Sequence, residues 1–204
     1  MSPDGKYACF LGVDGYMLLI DQKTRQLVSK LKINGGVKAA AFFPEGDRLI
    51  CTGSLGEMYI WDIGTRRCIW RGVDEGCIHG TAAAVSPDGS FFALGSDSGV
   101  VNLYDAKAHE PKSPVKSVFN LTTAIHHLHF NADSQILAMG SRSKKDALKL
   151  LHVPSMQVFK NWPTPKTTLG YINSMAFSPS SGYISIGNDK GKAILYRVLH
   201  YKKS

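Results

Sequence analysis

The sequence lacks most of what would mark a membrane protein, a secreted protein or an enzyme. No apolar stretch approaches the roughly 18 residues that a membrane-spanning helix requires. The opening Met1-Ser2-Pro3-Asp4-Gly5 carries neither the basic nor the apolar segment of a signal peptide. Cysteine is scarce: Cys9, Cys51, Cys68 and Cys77 form no Cys-x-x-Cys pair and show no zinc-type spacing with histidine. Three of them sit in apolar, strand-like runs, so reduced and mostly buried thiols of an intracellular protein are expected. A Gly-x-Ser-x-Gly elbow, a phosphate-cradling loop with Lys-Ser/Thr and a His-Glu-x-x-His helix are all missing. With them go the common hydrolase, nucleotide-binding and metalloprotease chemistries. No catalytic residue, metal site, cofactor, membrane association or small-molecule substrate is expected.

What is present is a repeat. A turn of the Ser-Pro-Asp-Gly kind opens the chain at Ser2–Gly5. It returns at Phe43–Gly46, Ser86–Gly89, Asn131–Ser134 and Ser178–Gly182, at intervals of 41, 43, 45 and 47 residues. A four-stranded propeller blade has a period of about 40–45 residues. The flanks repeat as well. A short strand precedes four of the turns, an apolar run ending in glycine follows each, and a strand such as Met58-Tyr59-Ile60-Trp61-Asp62 comes next. A weaker fourth strand closes the unit. Gly and Pro reverse the chain between antiparallel strands, and β-branched and aromatic residues fill the faces between blades. Turn signals this dense leave no room for a long helix.

The expectation is an all-β, WD-repeat β-propeller: a partial ring of about 4.5 four-stranded blades. Naming the strands of a blade a to d, the units fall at 1–33 (incomplete), 34–76, 77–120, 121–165 and 166–204 (incomplete). The chain opens on an a–b turn and stops after a strand c. It is therefore expected to be part of a longer protein with a ring of seven blades.

Trp61-Asp62 with its surroundings resembles the WD-repeat superfamily. Trp61 is expected to pack between blades and Asp62 to cap the turn after strand c. Asp14, Asp97 and Asp189 fit the acidic position of the b–c turn, but the Gly-His pair usual before strand a is absent. The buried His–Asp network of standard blades is accordingly expected to be incomplete. Longer stretches resemble one family more closely. They are Lys32–Gly35, Val73–Gly76, Gly95–Asn102, Phe177–Tyr183, Gly187–Ala193 and Tyr196-Arg197. That family is the eighteenth U-three-protein family, a WD-repeat subunit of the nucleolar small-subunit processome. The resemblance implies a non-catalytic scaffold in the nucleolus, acting in pre-ribosomal RNA processing and small-subunit assembly beside other WD-repeat subunits. It leaves contact with pre-ribosomal and small nucleolar RNA open. A generic WD adaptor reading peptides or degrons in a ubiquitin-ligase or signalling complex is the alternative.

Net charge is +8, and it is uneven: ten Lys/Arg face eleven Asp/Glu in residues 1–102, against fourteen and five in residues 103–204. Strands alternate direction, so the b–c turns and d–a links of a propeller share one rim. Arg142, Lys144 and Lys145 fall in one b–c connection, Lys190 and Lys192 in or beside the next, and Lys166 in the link between them. Only Asp146 and Asp189 dilute them. This cluster is the candidate site for RNA phosphate or an acidic partner. No aromatic platform of the single-strand-binding kind interleaves with the charges, which argues against base reading. His127 and His129 share one face of a strand, a ligand set too small for zinc. Gly187–Gly191 reads as a b–c turn, with no helix behind it to hold phosphate.

Overall fold

A computed structural model describes residues 1–164 and 166–199. The expected unit boundary at 165 and the tail at 200–204 lie outside the described residues. Among them every regular element is a strand, and the eighteen strands form five antiparallel sheets in chain order. The first holds β1 (Tyr7–Leu11), β2 (Tyr16–Asp21) and β3 (Leu27–Lys32). The second holds β4 (Val37–Phe42), β5 (Arg48–Gly53), β6 (Glu57–Asp62) and β7 (Arg67–Val73). The third has β8 (Gly80–Val85), β9 (Phe91–Ser96), β10 (Val101–Asp105) and β11 (Lys116–Val118). The fourth has β12 (His127–Phe130), β13 (Ile136–Gly140), β14 (Leu148–His152) and β15 (Gln157–Val158). The fifth has β16 (Ile172–Phe177), β17 (Tyr183–Asn188) and β18 (Ala193–Arg197).

Three sheets are blades ordered a-b-c-d, the first sheet holds strands b to d and the fifth strands a to c, and the a strands β4, β8, β12 and β16 stand beside one another. The a–b turns show why the repeat is so regular. Ser86 Oγ donates to Asp88 Oδ1 at 2.6 Å and accepts the Phe91 N–H at 2.9 Å. Ser2 repeats both bonds, and Asn131 Oδ1 takes the equivalent Ile136 N–H at 2.8 Å. The fourth turn residue is left-handed: Gly5, Gly46 and Gly89, but Ser134 and Ser181 in the later units. Gly182, aligned with the turn glycines in sequence, therefore lies one residue beyond the position that needs positive φ. At the far end of the blade, Asp62 Oδ1 accepts the Thr65 N–H at 2.6 Å and the Thr65 hydroxyl at 2.8 Å. Those bonds hold its carboxyl below the usual range. Asp62 is thus the turn cap that the sequence indicates.

Five blades make four interfaces, and each is a separate apolar cluster. Trp61 packs with Met17, Leu19, Leu49 and Cys51 between the first two blades. Phe43, Phe92 and Tyr104 fill the second interface, where the Phe92 and Tyr104 rings stack at 5.1 Å. Leu103, Ile125 and Met139 build the third, and Ile136, Ile172 and Ile186 the fourth. Blades bury their faces only against neighbours, as alternating patterns on both sides of a strand require.

The cysteines need a correction. Cys51 is buried, but Cys68 is exposed and Cys9 and Cys77 are half-buried. Cys68 lies on the outer strand of its blade, where an apolar run has water on one side.

Candidate interaction rim

One pattern of backbone hydrogen bonds positions everything on the b–c rim. Every d–a link is held between the b–c turns of two blades. Ile33 N–H donates to the Gly15 carbonyl on one side of the first link, and Ser54 N–H to the Gly36 carbonyl on the other, both at 2.9 Å. Asp74 N–H to Gly56 O at 2.9 Å and Asp97 N–H to His79 O at 3.0 Å repeat the arrangement one blade on. The approach is close enough to exclude side chains at its tightest point. A Cβ on Gly15 would lie 2.2 Å from the Gly35 carbonyl oxygen, and Gly15 is also left-handed at φ 79°.

In the last link carboxylates take over this role. Asp146 Oδ1 accepts the N–H groups of Leu169 and Gly170, at 2.5 and 2.9 Å, while its own N–H donates to Gly170 O at 2.9 Å. From the other blade Asp189 Oδ1 accepts the Tyr171 N–H at 3.0 Å, and its N–H donates to Tyr171 O at 3.1 Å. Asp146 also has φ 58°, occupying the left-handed place that Gly56 and Gly99 fill elsewhere. Of the three turn acids read from the sequence, only Asp189 bonds a link through its carboxylate. Asp14 and Asp97 lie in the expected turns, but neither carboxylate forms a hydrogen bond among the described residues. Asp146, read only as a diluting charge, makes the fuller contact.

The consequence for charge is direct. Asp146 and Asp189 are turned onto backbone amides, so Arg142, Lys144, Lys145, Lys166, Lys190 and Lys192 are all exposed, and none forms an ion pair among the described residues. Asn188 Oδ1 accepts the backbone N–H groups of Lys190 and Lys192, each at 3.1 Å, fixing that turn from beneath. The fold adds what the sequence did not show. Tyr171, 37% exposed, carries the Lys145 ammonium 5.7 Å from its ring centre. An aromatic face therefore does lie among the cations, supplied by the clamped link. Lys160, also exposed, extends the link's positive charge.

A second polar feature, the Asp74 cluster, was not legible. Asp74 is only 1% exposed and accepts from Asn102 Nδ2 at 2.8 Å and from the Tyr104 hydroxyl at 2.7 Å. Asn102 Nδ2 also donates to Glu75 O at 2.7 Å. This network joins the second link to strand c of the third blade. Burial pushes the Asp74 carboxyl above the usual carboxylate range, against the downward pull of Asn102 and Tyr104. Burial, and then the Asp74 charge, push the neighbouring Cys77 thiol up to about 12. At that value the Cys77 thiol is not a thiolate nucleophile near neutrality. His127 Nε2 lies 3.1 Å from the Ile172 carbonyl, and no group of three or more His, Cys, Asp or Glu side chains suited to a metal occurs among the described residues.

Comparison with known proteins gives these features a setting. Residues 73–105 match the family model described as "WD domain, G-beta repeat". The chain is 42% identical over 206 aligned residues to the "U3 small nucleolar RNA-associated protein 18 homolog" of Arabidopsis thaliana, covering 100% of this chain and 38% of that protein. It is 41% identical to the Homo sapiens protein of the same name, covering 98% of this chain and 37% of that protein. A segment covering 54% of the chain is 50% identical to "U3 small nucleolar RNA-associated protein 18" of Saccharomyces cerevisiae, of which it covers 19%. In pattern and fold the chain is a partial propeller of the WD-repeat type, and the relatives it resembles over its whole length, the U3 small nucleolar RNA-associated protein 18 homologues, are more than twice as long.

Proposed function

We propose that the chain is a non-catalytic scaffold segment of the nucleolar small-subunit processome. It serves pre-ribosomal RNA processing and small ribosomal subunit assembly through contacts with other WD-repeat subunits. Its basic rim, Arg142, Lys144, Lys145, Lys166, Lys190 and Lys192, meets RNA phosphates. The observation that carries the reading is similarity over the whole chain to relatives named for association with U3 small nucleolar RNA. The unpaired, clamped cations supply a physical means of contact. A peptide- or degron-reading adaptor is less well supported, because no relative named above is called one.

Each phosphate neutralised releases counterions, so binding would weaken steeply with salt. If four of the cations engage, log K falls with log salt by a slope of about −3. Filter binding of the chain to structured RNA at low salt tests this. Charge reversal at Lys144, Lys145, Lys190 and Lys192 together abolishes retention; unchanged binding overturns the RNA contact. Recovery of pre-ribosomal RNA and processome subunits with the full-length protein tests the assembly role, whereas ligase components alone would favour the adaptor.

A further inference from the structure

The rim divides sharply into two sectors. The b–c turns at 12–15, 54–56 and 97–100 and the links at 33–36 and 74–79 contain no lysine or arginine. Their charged residues are Asp14, Asp74, Glu75 and Asp97, all acidic. Every lysine and arginine on this rim belongs to the last two blades. The first sector is also unusually apolar for a solvent-facing edge. Val13 is 88% exposed, Ile78 70% and Leu55 56%.

These three side chains come from different turns and links, and the clamping of the links draws them together. A Cβ on Gly36 would lie 2.8 Å from the Val13 carbonyl oxygen, and one on Gly35 would lie 2.9 Å from Leu55 Cγ. On the far side of Leu55, a Cβ on Gly56 would lie 2.3 Å from the Cys77 carbonyl and 3.1 Å from that of Ile78. Val13, Gly35-Gly36, Leu55 and Ile78 are thereby set next to one another in a strip along this edge. Glu75 and Asp97 flank the strip at one end and Asp14 at the other. None of the three forms an ion pair among the described residues. Two cations on adjoining strands are engaged: Arg71 with Glu57 at 2.6 Å, and Lys32 above the Tyr16 ring at 4.3 Å.

We propose that this apolar and acidic sector docks an extended segment of a protein partner in which aliphatic side chains alternate with lysine or arginine. Exposed aliphatic groups aligned along a rigid floor bind by burying area, and the flanking acids select the sign of the partner. Nucleic acid is disfavoured by the same charges that recruit a basic segment. The strip lies in different blades from the basic sector, and it does not rest on the RNA reading.

The test uses the full chain and fluorescein-labelled synthetic peptides read by anisotropy. A peptide alternating leucine with lysine binds saturably. One alternating leucine with glutamate, and one alternating glycine with lysine, bind at least about tenfold more weakly. Replacing Val13, Leu55 and Ile78 with serine weakens the leucine–lysine peptide about tenfold, and Glu75→Gln with Asp97→Asn weakens it while steepening nothing in its salt response. Lys144→Glu with Lys145→Glu leaves it unchanged, even where RNA retention is lost. Equal binding of the leucine–glutamate peptide overturns the proposal. So does undiminished binding by the serine variant, or displacement of the peptide by structured RNA through the Val13–Ile78 strip.

Discussion

Asp74 offers the sharpest test of the packing argument. It is a buried acid with two side-chain donors, Asn102 Nδ2 and the Tyr104 hydroxyl, pointed at one oxygen. Asp74→Ala leaves the Tyr104 O–H without its acceptor, although the oxygen still accepts the Glu75 N–H, and leaves Asn102 Nδ2 with only the Glu75 carbonyl. A buried donor left without a partner costs about 1–3 kcal/mol, so the pair should cost about 3 kcal/mol in all. For a chain of this size that corresponds to a fall in Tm of about 6–12 °C. Asp74→Asn is different, because its amide oxygen still accepts both bonds. The pH dependence follows from the raised carboxyl pKa. A group whose folded pKa lies above its unfolded value favours the fold most at pH below the unfolded value, about 3.9. That contribution fades as pH rises through the folded value. The stability of the native chain relative to Asp74→Asn should therefore be greatest in acid and fall toward neutrality, then level off. Taking the difference between the two proteins removes Asp4, Asp21 and Asp88, whose lowered pKa values work in the opposite direction. Urea unfolding across pH 3–8 reads it (a range set by ordinary carboxylate titration). A loss under about 1 kcal/mol for Asp74→Ala, or a relative stability that grows with pH, would refute the reasoning.

Two further outcomes follow from the same geometry. Asp146→Ala removes the acceptor for Leu169 and Gly170 and should cost about 1–2 kcal/mol, with faster amide hydrogen exchange at both N–H groups; unchanged exchange there would deny the clamp. Mass-spectrometric alkylation of the folded chain near pH 8 should label Cys68 first. Cys9 and Cys77, held up to about 11 and about 12, should react slowly, and Cys51 only on unfolding; rapid early labelling of Cys51 would contradict its burial.

Much of the fold was legible because the turns use a small vocabulary. Ser86-Pro87-Asp88-Gly89 and its counterparts mark each a–b reversal, and the apolar runs between them fall on strands such as Phe91–Ser96 as expected. Chemistry that repeats locally can be read locally. The rim was harder. Asp146 looked like a stray charge because its partners, Leu169 and Gly170, are over twenty residues away in sequence. Tyr171 was invisible as an aromatic companion of Lys145 for the same reason. Asp74 could not be distinguished from an exposed link acid, since its burial depends on Asn102 and Tyr104 in the next blade. Cys68 was misjudged because a strand pattern does not say which strand of a sheet faces water. The basic residues themselves were readable, because charge within one turn needs no tertiary partner to be noticed.

The clamped links carry one more consequence. Each is the only covalent path from one blade to the next, and each is pinned by turns from both. A disturbance at one link therefore acts directly on the two blades it joins and reaches others only through their shared neighbours. Anything that settles on the rim settles on these pins. Occupancy there would act like a rivet, locking the angle between adjacent blades and sparing the outer strands, and the stiffness of the blade array would be set link by link along this edge.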